Sequence, residues 1–196
     1  MMDLLISKIS KEVVLSKTEQ DLIKSFFVVK KLRKRQSLLQ YGEIFRHLFF
    51  VEKGMLRAFL KGSKDEEHLM QFAPEGTWIP DSFHQLEDIV SVYDIEALEN
   101  SEILYIDRED FQRLLAAVPK LEKYIRVVMQ ERLVALHKRV INYLTNFAED
   151  KYRMFVESYP DIVQRVPQHM IAAYLGIKPE TLSRNRKKMA TKKKED

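Results

Sequence analysis

Residues 120–147, KLEKYIRVVMQERLVALHKRVINYLTNF, decide how the chain is organised. They contain neither Pro nor Gly and are rich in helix formers, which predicts one helix of about seven to eight turns. Met129, Leu133, Leu136, Val140, Tyr143 and Phe147 recur at alternating steps of four and three, the seam of a helix packed along a partner helix. Val127, Val134, Ile141 and Leu144 form a second apolar stripe. A helix apolar on two faces needs two surfaces to bury against. Taken alone, the stretch fits a core helix of a monomer as well as a dimer helix. The flanks differ, strand-like before it and short helices with a basic end after it, so the helix joins two unlike modules.

The 196 residues, 45% hydrophobic and 32% charged, describe a globular chain of one or two domains. There is no Cys, which excludes disulfides, Cys-ligated zinc, iron–sulfur clusters and thiol redox sensing. The apolar run Leu4–Ile6 is too short for a signal segment, and no stretch approaches a membrane span. The chain is therefore expected in the cytoplasm, without a membrane partner. His47, His68, His84, His137 and His169 show no metal-ligand spacing, so neither a metal nor a cofactor is expected. No Gly-rich phosphate loop, Gly-x-Ser-x-Gly or His-Glu-x-x-His occurs, and the expectation is that the chain is not an enzyme. Net charge is +4 but unevenly placed. Residues 162–194 carry nine Lys and Arg against the single acid Glu180, a net of +8, which leaves −4 for the remainder. Such asymmetry points to a polyanion partner at the C-terminal end.

In chain order, Ser16–Glu19 is a capping box that opens a short helix with Leu22, Ile23, Phe26 and Phe27 inward. The period then changes. Turn signals at Tyr41-Gly42, Lys53-Gly54 and Lys61–Asp65 separate strands expected at His47–Val51, Met55–Lys61 and Glu67–Phe72. Val90–Leu98 and Glu102–Ile106 add two more, which suggests a small antiparallel barrel or roll. Asp107 can cap the next helix, with Phe111, Leu114, Leu115 and Val118 inward, before Pro119 breaks it. After the long helix, Tyr152–Tyr159 reads as a short helix ended by Pro160.

The last module is the most specific. Pro167 suits the first turn of a helix whose inner face is Ile171, Ala172 and Leu175. Gly176 can take positive φ at its end, Ile177 plugs the corner, and a second helix runs from about Pro179 to Met189. A small residue, a turn Gly and aliphatics on both sides, Leu182 among them, let two helices cross closely, as in a helix-turn-helix. A generic helical hairpin meets the same spacing. Thr181, Arg184, Lys187 and Lys188 on the outer face of the second helix favour nucleic acid.

With these pieces in order, the chain from about residue 10 to 190 resembles a Crp/Fnr-type transcription regulator. Its most specific segments are Tyr174–Arg184, YLGIKPETLSR, and Ala97–Ile106, ALENSEILYI. The resemblance implies an α+β fold: an N-terminal antiparallel double-stranded β-roll of cyclic-nucleotide-binding type, a long central dimerisation helix, and a C-terminal helix-turn-helix, winged-helix-like with the wing truncated. It implies a roll sensor domain over 1–119, the dimerisation helix over 120–147 and a DNA-binding domain over 148–196. It further implies a homodimer on double-stranded DNA through Met129, Leu133, Leu136, Val140 and Tyr143, with RNA polymerase and a small-molecule effector as further partners. Glu180, Arg184 and Lys187 match positions that read base edges. Arg184 would fork onto guanine and Glu180 accept from cytosine. Gln168, His169 and Thr181 match positions near backbone phosphates, and Lys178 and Lys188 are expected as further phosphate contacts. The chain departs from the pattern at Pro179, where some members carry a base-reading Arg, at Asn185, an inward position usually apolar, and at Lys178, where Ser or Thr would cap. Only seven residues follow Met189, too few for the wing.

Members that bind cyclic AMP carry Gly-Glu and, about ten residues on, Arg followed by Ser or Thr. Here the pairs fall on Pro80-Asp81 and Ser91-Val92, and no Arg or Lys lies between Lys64 and Arg108. Without a cation to hold the cyclic phosphate, tight binding of cyclic AMP or cyclic GMP is not expected. A pocket for another ligand would be lined by Trp78, Asp81, Ser91 and Tyr93, although aromatic residues in a roll also serve as core. The rival reading is a dimeric β-roll interaction module that has lost specific DNA binding.

Overall fold

A computed structural model of the chain describes residues 2–44, 46–62, 66–79 and 90–192, the side chains of 190–192 excepted. The chain forms two compact units, Met1–Leu60 with Gln71–Glu131, and Lys61–Met70 with Arg132–Asp196. The division falls inside a helix.

The first unit opens with α1 (Asp3–Glu12) and α2 (Lys17–Phe26). α1 is not marked by the sequence pattern, because its first turn is capped from far away. One carboxylate oxygen of Glu52 accepts from Leu4 N–H at 2.9 Å and the other from Leu5 N–H at 3.1 Å. α2 begins at the expected capping box, in which Ser16 Oγ accepts from Glu19 N–H and the Glu19 carboxylate accepts from Ser16 N–H. Ile23 and Phe27 are buried and Phe26 packs against the same core, whereas Leu22, at the edge of the expected inner face, is 36% exposed.

Among the described residues seven strands follow: β1 (Val28–Leu32), β2 (Ser37–Leu39), β3 (His47–Lys53), β4 (Leu56–Lys61), β5 (Glu67–Ala73), β6 (Asp94–Ala97) and β7 (Ser101–Asp107). They form two sheets, in the orders β1-β7-β3 and β2-β6-β4-β5. β7 is central to the first, pairing Val28 with Tyr105 on one side and Phe50 with Leu104 on the other. Gly54 makes the tight turn after β3 at φ +93, and any side chain there would collide with Ser101. The expected strand over Val90–Leu98 shrinks to β6. Val90 makes only an isolated bridge to Ile44, because the Ser91 hydroxyl bonds the Tyr93 backbone and turns the chain away from strand geometry.

Alternation divides the buried side chains. Leu48, Phe50, Leu104 and Ile106 join Ile9, Ile23, Trp78, Phe111, Leu114 and Tyr124 in a core shared with the helices. Phe49, Val51, Leu56, Ala58, Ile95, Ala97 and Ile103 fill the interior between the sheets. α3 (Arg108–Ala117) is capped by Asp107, whose carboxylate accepts from Glu109 N–H at 2.8 Å, and α4 (Leu121–Thr145) follows.

α4 ends two residues before Phe147, which is the N-cap residue of α5 (Ala148–Ser158) and no longer part of the seam. Thr145 donates its hydroxyl to Ile141 O and Asn146 bonds Asn142, side-chain bonds that compete with the helix at its end. Pro160 does not merely end α5. It is the first residue of α6 (Pro160–Arg165), where its missing N–H costs nothing. α7 (Gln168–Leu175) and α8 (Pro179–Lys192) complete the second unit, and Pro167 is the N-cap of α7 rather than a residue of its first turn. Tyr152, Phe155, Ile162, Val166, Ile171, Ala172, Leu175 and Leu182 are among its buried side chains.

Candidate nucleic-acid interface

The corner between α7 and α8 is built by Gly176, at φ 64 and ψ 36. Its N–H donates to Ala173 O at 3.3 Å and Ile177 N–H donates to Ala172 O at 3.0 Å, so the last carbonyls of α7 are satisfied while the chain reverses. Ala172 and Leu182 are each 1% exposed, as expected where α7 and α8 pack closely. Pro179 starts α8 with a fixed φ, and Leu182 N–H donates to Lys178 O at 3.1 Å.

Burial then fixes which way α8 faces. Leu182 and Asn185 point inward, whereas Glu180, Arg184 and Lys187 are exposed at steps of four and three along one stripe. Among the described residues, the side chains of Glu180 and Arg184 make no hydrogen bond or ion pair. Lys178 and Lys188 are also exposed, and the Lys188 ammonium lies 3.5 Å from the Glu149 carboxylate of α5. Thr181 is half-buried, His169 is exposed, and Gln168 is half-buried with its Oε1 buried and unpartnered at the start of α7. Asn185 is 7% exposed, and among the described residues its Nδ2 has no hydrogen-bond partner.

One positioning residue carries no sequence signal. Arg139, in α4, stacks its guanidinium over the Tyr174 ring at 4.3 Å and donates to Tyr174 O at 3.5 Å. It also donates to Leu69 O at 3.0 Å and to Met70 O. Tyr174 in turn packs on Phe155, with ring centroids 5.3 Å apart. An Arg in a helix looks like any solvated cation, and nothing in its neighbours betrays this contact.

Along α4 the seam residues Leu133, Leu136, Val140 and Tyr143 are exposed, from 47% at Val140 to 63% at Tyr143, and Met129 is half-buried. In the second stripe Val134, Ile141 and Leu144 are exposed, up to 75% at Leu144, and Val127 is half-buried.

Of the residues expected to line a ligand pocket, Ser91 and Tyr93 lie together, and Trp78 belongs to a different cluster. Trp78 lies in the core shared with the helices, its indole N–H donating to Tyr124 O–H at 3.0 Å, while Tyr93 packs against the interior between the sheets. Ser91 is 3% exposed and turned onto Tyr93. Asp81 lies outside the described residues. A buried cation, Arg57 of β4, pairs with Glu96 of β6 at 3.5 Å and stacks over Phe59 at 4.1 Å. Among the described residues, no cluster of His, Asp and Glu can hold a metal ion, and no helix is long and apolar enough to cross a membrane.

Residues 29–118 match the family of the cyclic nucleotide-binding domain. No curated protein matches the sequence. Among solved structures, FixK2 from Bradyrhizobium japonicum is 15% identical, with a TM-score of 0.73 over 85% of this chain and 85% of that one. The c-di-GMP-responsive global regulator CLP of Xanthomonas campestris is 14% identical, with a TM-score of 0.74 over 90% and 93% of the two chains. The catabolite activator protein of Thermus thermophilus is 19% identical, with a TM-score of 0.57 over 94% and 87%. The chain therefore carries a domain of cyclic nucleotide-binding type within a fold shared with Crp/Fnr-type regulators.

Proposed function

From that shared fold, we propose that the chain is a sequence-specific, DNA-binding transcription regulator of Crp/Fnr type, acting as a homodimer on a near-palindromic site. The observation that carries this reading is the outward stripe of Glu180, Arg184 and Lys187 on α8, behind a corner turned by Gly176. Arg184 reads guanine O6 and N7, Glu180 accepts from cytosine N4, and Lys187 completes the base contacts. Gln168, His169, Lys178, Thr181 and Lys188 hold phosphates and set register, Lys188 exchanging Glu149 for DNA. The exposed apolar seam from Met129 to Tyr143 supports pairing of α4 with its symmetry mate, because an aliphatic face of this length is not left in water. The twofold axis then sets two α8 helices in successive major grooves, about 34 Å apart.

The sensor roll does not bind cyclic AMP or cyclic GMP tightly. Ser91 is committed to Tyr93, and Arg57, a buried cation of the roll, is already matched by Glu96. A small-molecule effector of another class and RNA polymerase are the remaining partners of this reading.

Selection of sites from a random duplex library with purified protein tests it. Enrichment of a near-palindrome with half-sites one turn apart is the expected result. Equal recovery of all sequences, or of none with and without cell extract, would leave the dimeric interaction module as the better reading.

A further inference from the structure

The roll carries a second basic feature, within the part of the chain whose balance is acidic. Lys30, Lys31, Arg33, Lys34 and Arg35 place five cations in six residues, all exposed. Only Lys31 is paired, with Glu102 of β7 at 3.7 Å. Among the described residues, the side chains of Lys30, Arg33, Lys34 and Arg35 make no hydrogen bond or ion pair.

The backbone that presents them is pinned. Arg33 N–H donates to the Gln36 side chain at 2.9 Å, and Gln36 N–H donates back to Arg33 O at 2.9 Å. Lys34 N–H donates to the Asn100 side chain at 3.0 Å, and Arg35 N–H to Ala97 O at 2.7 Å. Three consecutive cations therefore stand on a fixed turn. Arg35 holds φ +68, a left-handed conformation that suits Gly or Asn and is costly for Arg. Edge protection accounts for lysines on β1, an outer strand of its sheet. It does not account for Arg33–Arg35, which lie beyond the strand, or for an Arg where Gly would be less strained.

We propose that this turn is a second, sequence-independent contact to duplex DNA, holding backbone phosphates. The inference rests on the DNA-binding reading above. A polyphosphate fits better than an acidic protein surface, because protein interfaces centre on buried apolar or aromatic anchors and the turn presents only cations. Arg33 and Arg35 supply planar forks for phosphate oxygens, and Lys30 and Lys34 supply point charges. The turn adds affinity to every sequence alike and leaves the choice of site to α8.

The test uses the full chain with a selected-site duplex and a random duplex, following log K against log salt. Three variants are compared with the parent: Lys30→Gln/Arg33→Gln/Lys34→Gln/Arg35→Gln, Arg35→Gly alone, and Arg184→Ala. The fourfold variant is expected to lose affinity for both duplexes equally and to flatten the salt slope by roughly 0.9 for each phosphate it no longer neutralises. Arg35→Gly is expected to flatten it by about the amount due to one phosphate, while its thermal midpoint stays level or rises. Arg184→Ala is expected to lower only the ratio between the two duplexes. A parental slope and affinity in the fourfold variant, its fold confirmed by Trp78 emission, would overturn the proposal. So would a loss confined to polyglutamate binding, which assigns the turn to an acidic protein. A parent that binds both duplexes equally, with a slope that depends on the turn, keeps this inference and removes the specific-regulator reading. A parent that binds neither removes both.

Discussion

The ring of Tyr143 lies over Gly176, so close that a methyl group on the glycine would stand 2.9 Å from the ring's Cε2. The glycine also sits at φ +64, so a side chain there meets two penalties. Gly176→Ala is expected to destabilise the second unit by about 1–2 kcal/mol from the left-handed backbone alone, with a further cost from the ring. Urea unfolding followed by circular dichroism reads the total. Adding Tyr143→Ala should restore the ring's share but not the backbone's, and a double variant no more stable than Gly176→Ala would show that the ring carries no weight.

Asn185 carries the opposite expectation. An unpartnered buried amide costs about 1–3 kcal/mol, and leucine has a similar volume without the polar group. Asn185→Leu should therefore raise the unfolding midpoint of the second unit. A lowered midpoint would mean that the amide has a partner in solution, water being the obvious one.

Charge placed in the seam should dissociate the proposed dimer. Leu136→Asp with Val140→Asp puts two carboxylates on the exposed apolar stripe, where pairing would bury them uncompensated. Sedimentation equilibrium is expected to show monomer at concentrations where the parent is dimeric. Affinity for a full palindrome should fall toward that for a half-site. A parent that sediments as monomer would remove the seam reading.

Arg184→Ala tests base recognition alone. The expected loss is about 1–3 kcal/mol of discrimination at one base position, with little change at the others. A uniform loss across sequences would reassign Arg184 to phosphate.

Tyr124 sets an alkaline limit for the first unit. Burial pushes its hydroxyl from 10.0 up to about 12, with the Trp78 hydrogen bond acting against that shift. The folded state therefore keeps a proton that the unfolded chain releases. This contribution is complete below pH 10, is lost as pH rises toward 12, and is on the order of 2–3 kcal/mol. The emission of Trp78, the chain's single tryptophan, should report this loss between pH 10 and 12. Tyr124→Phe should be less stable at pH 8, since it strands the indole N–H, yet decline less steeply above pH 10.

Local signals are the legible ones. The Ser16 and Asp107 caps and the Gly54 and Gly176 turns each act within a few residues, so the sequence displays them. Signals that act at a distance stay hidden. α1 depends on Glu52, Arg139 on Tyr174, and the start of β6 on one serine hydroxyl. Trp78 is ambiguous for a related reason. Composition places an indole in the roll but cannot say on which side of the sheet its strand-like segment turns it. Arg33–Arg35 stand out by charge alone, but only the structure shows the pinned turn and the left-handed Arg35.

β7 lies between β1 and β3 and bonds to both. As the chain is synthesised, β1 and β3 leave the ribosome well before the strand that will join them. Until Ser101–Asp107 follows, each has a backbone edge with no sheet to complete. The roll is thus a high-contact-order unit that closes late, whereas α5 to α8 pack on one another within one contiguous stretch and can form once α8 has emerged. A ribosome paused before β7 would hold two open strand edges able to pair with another nascent chain, so the hazard for this protein lies in its translation rather than in its finished fold.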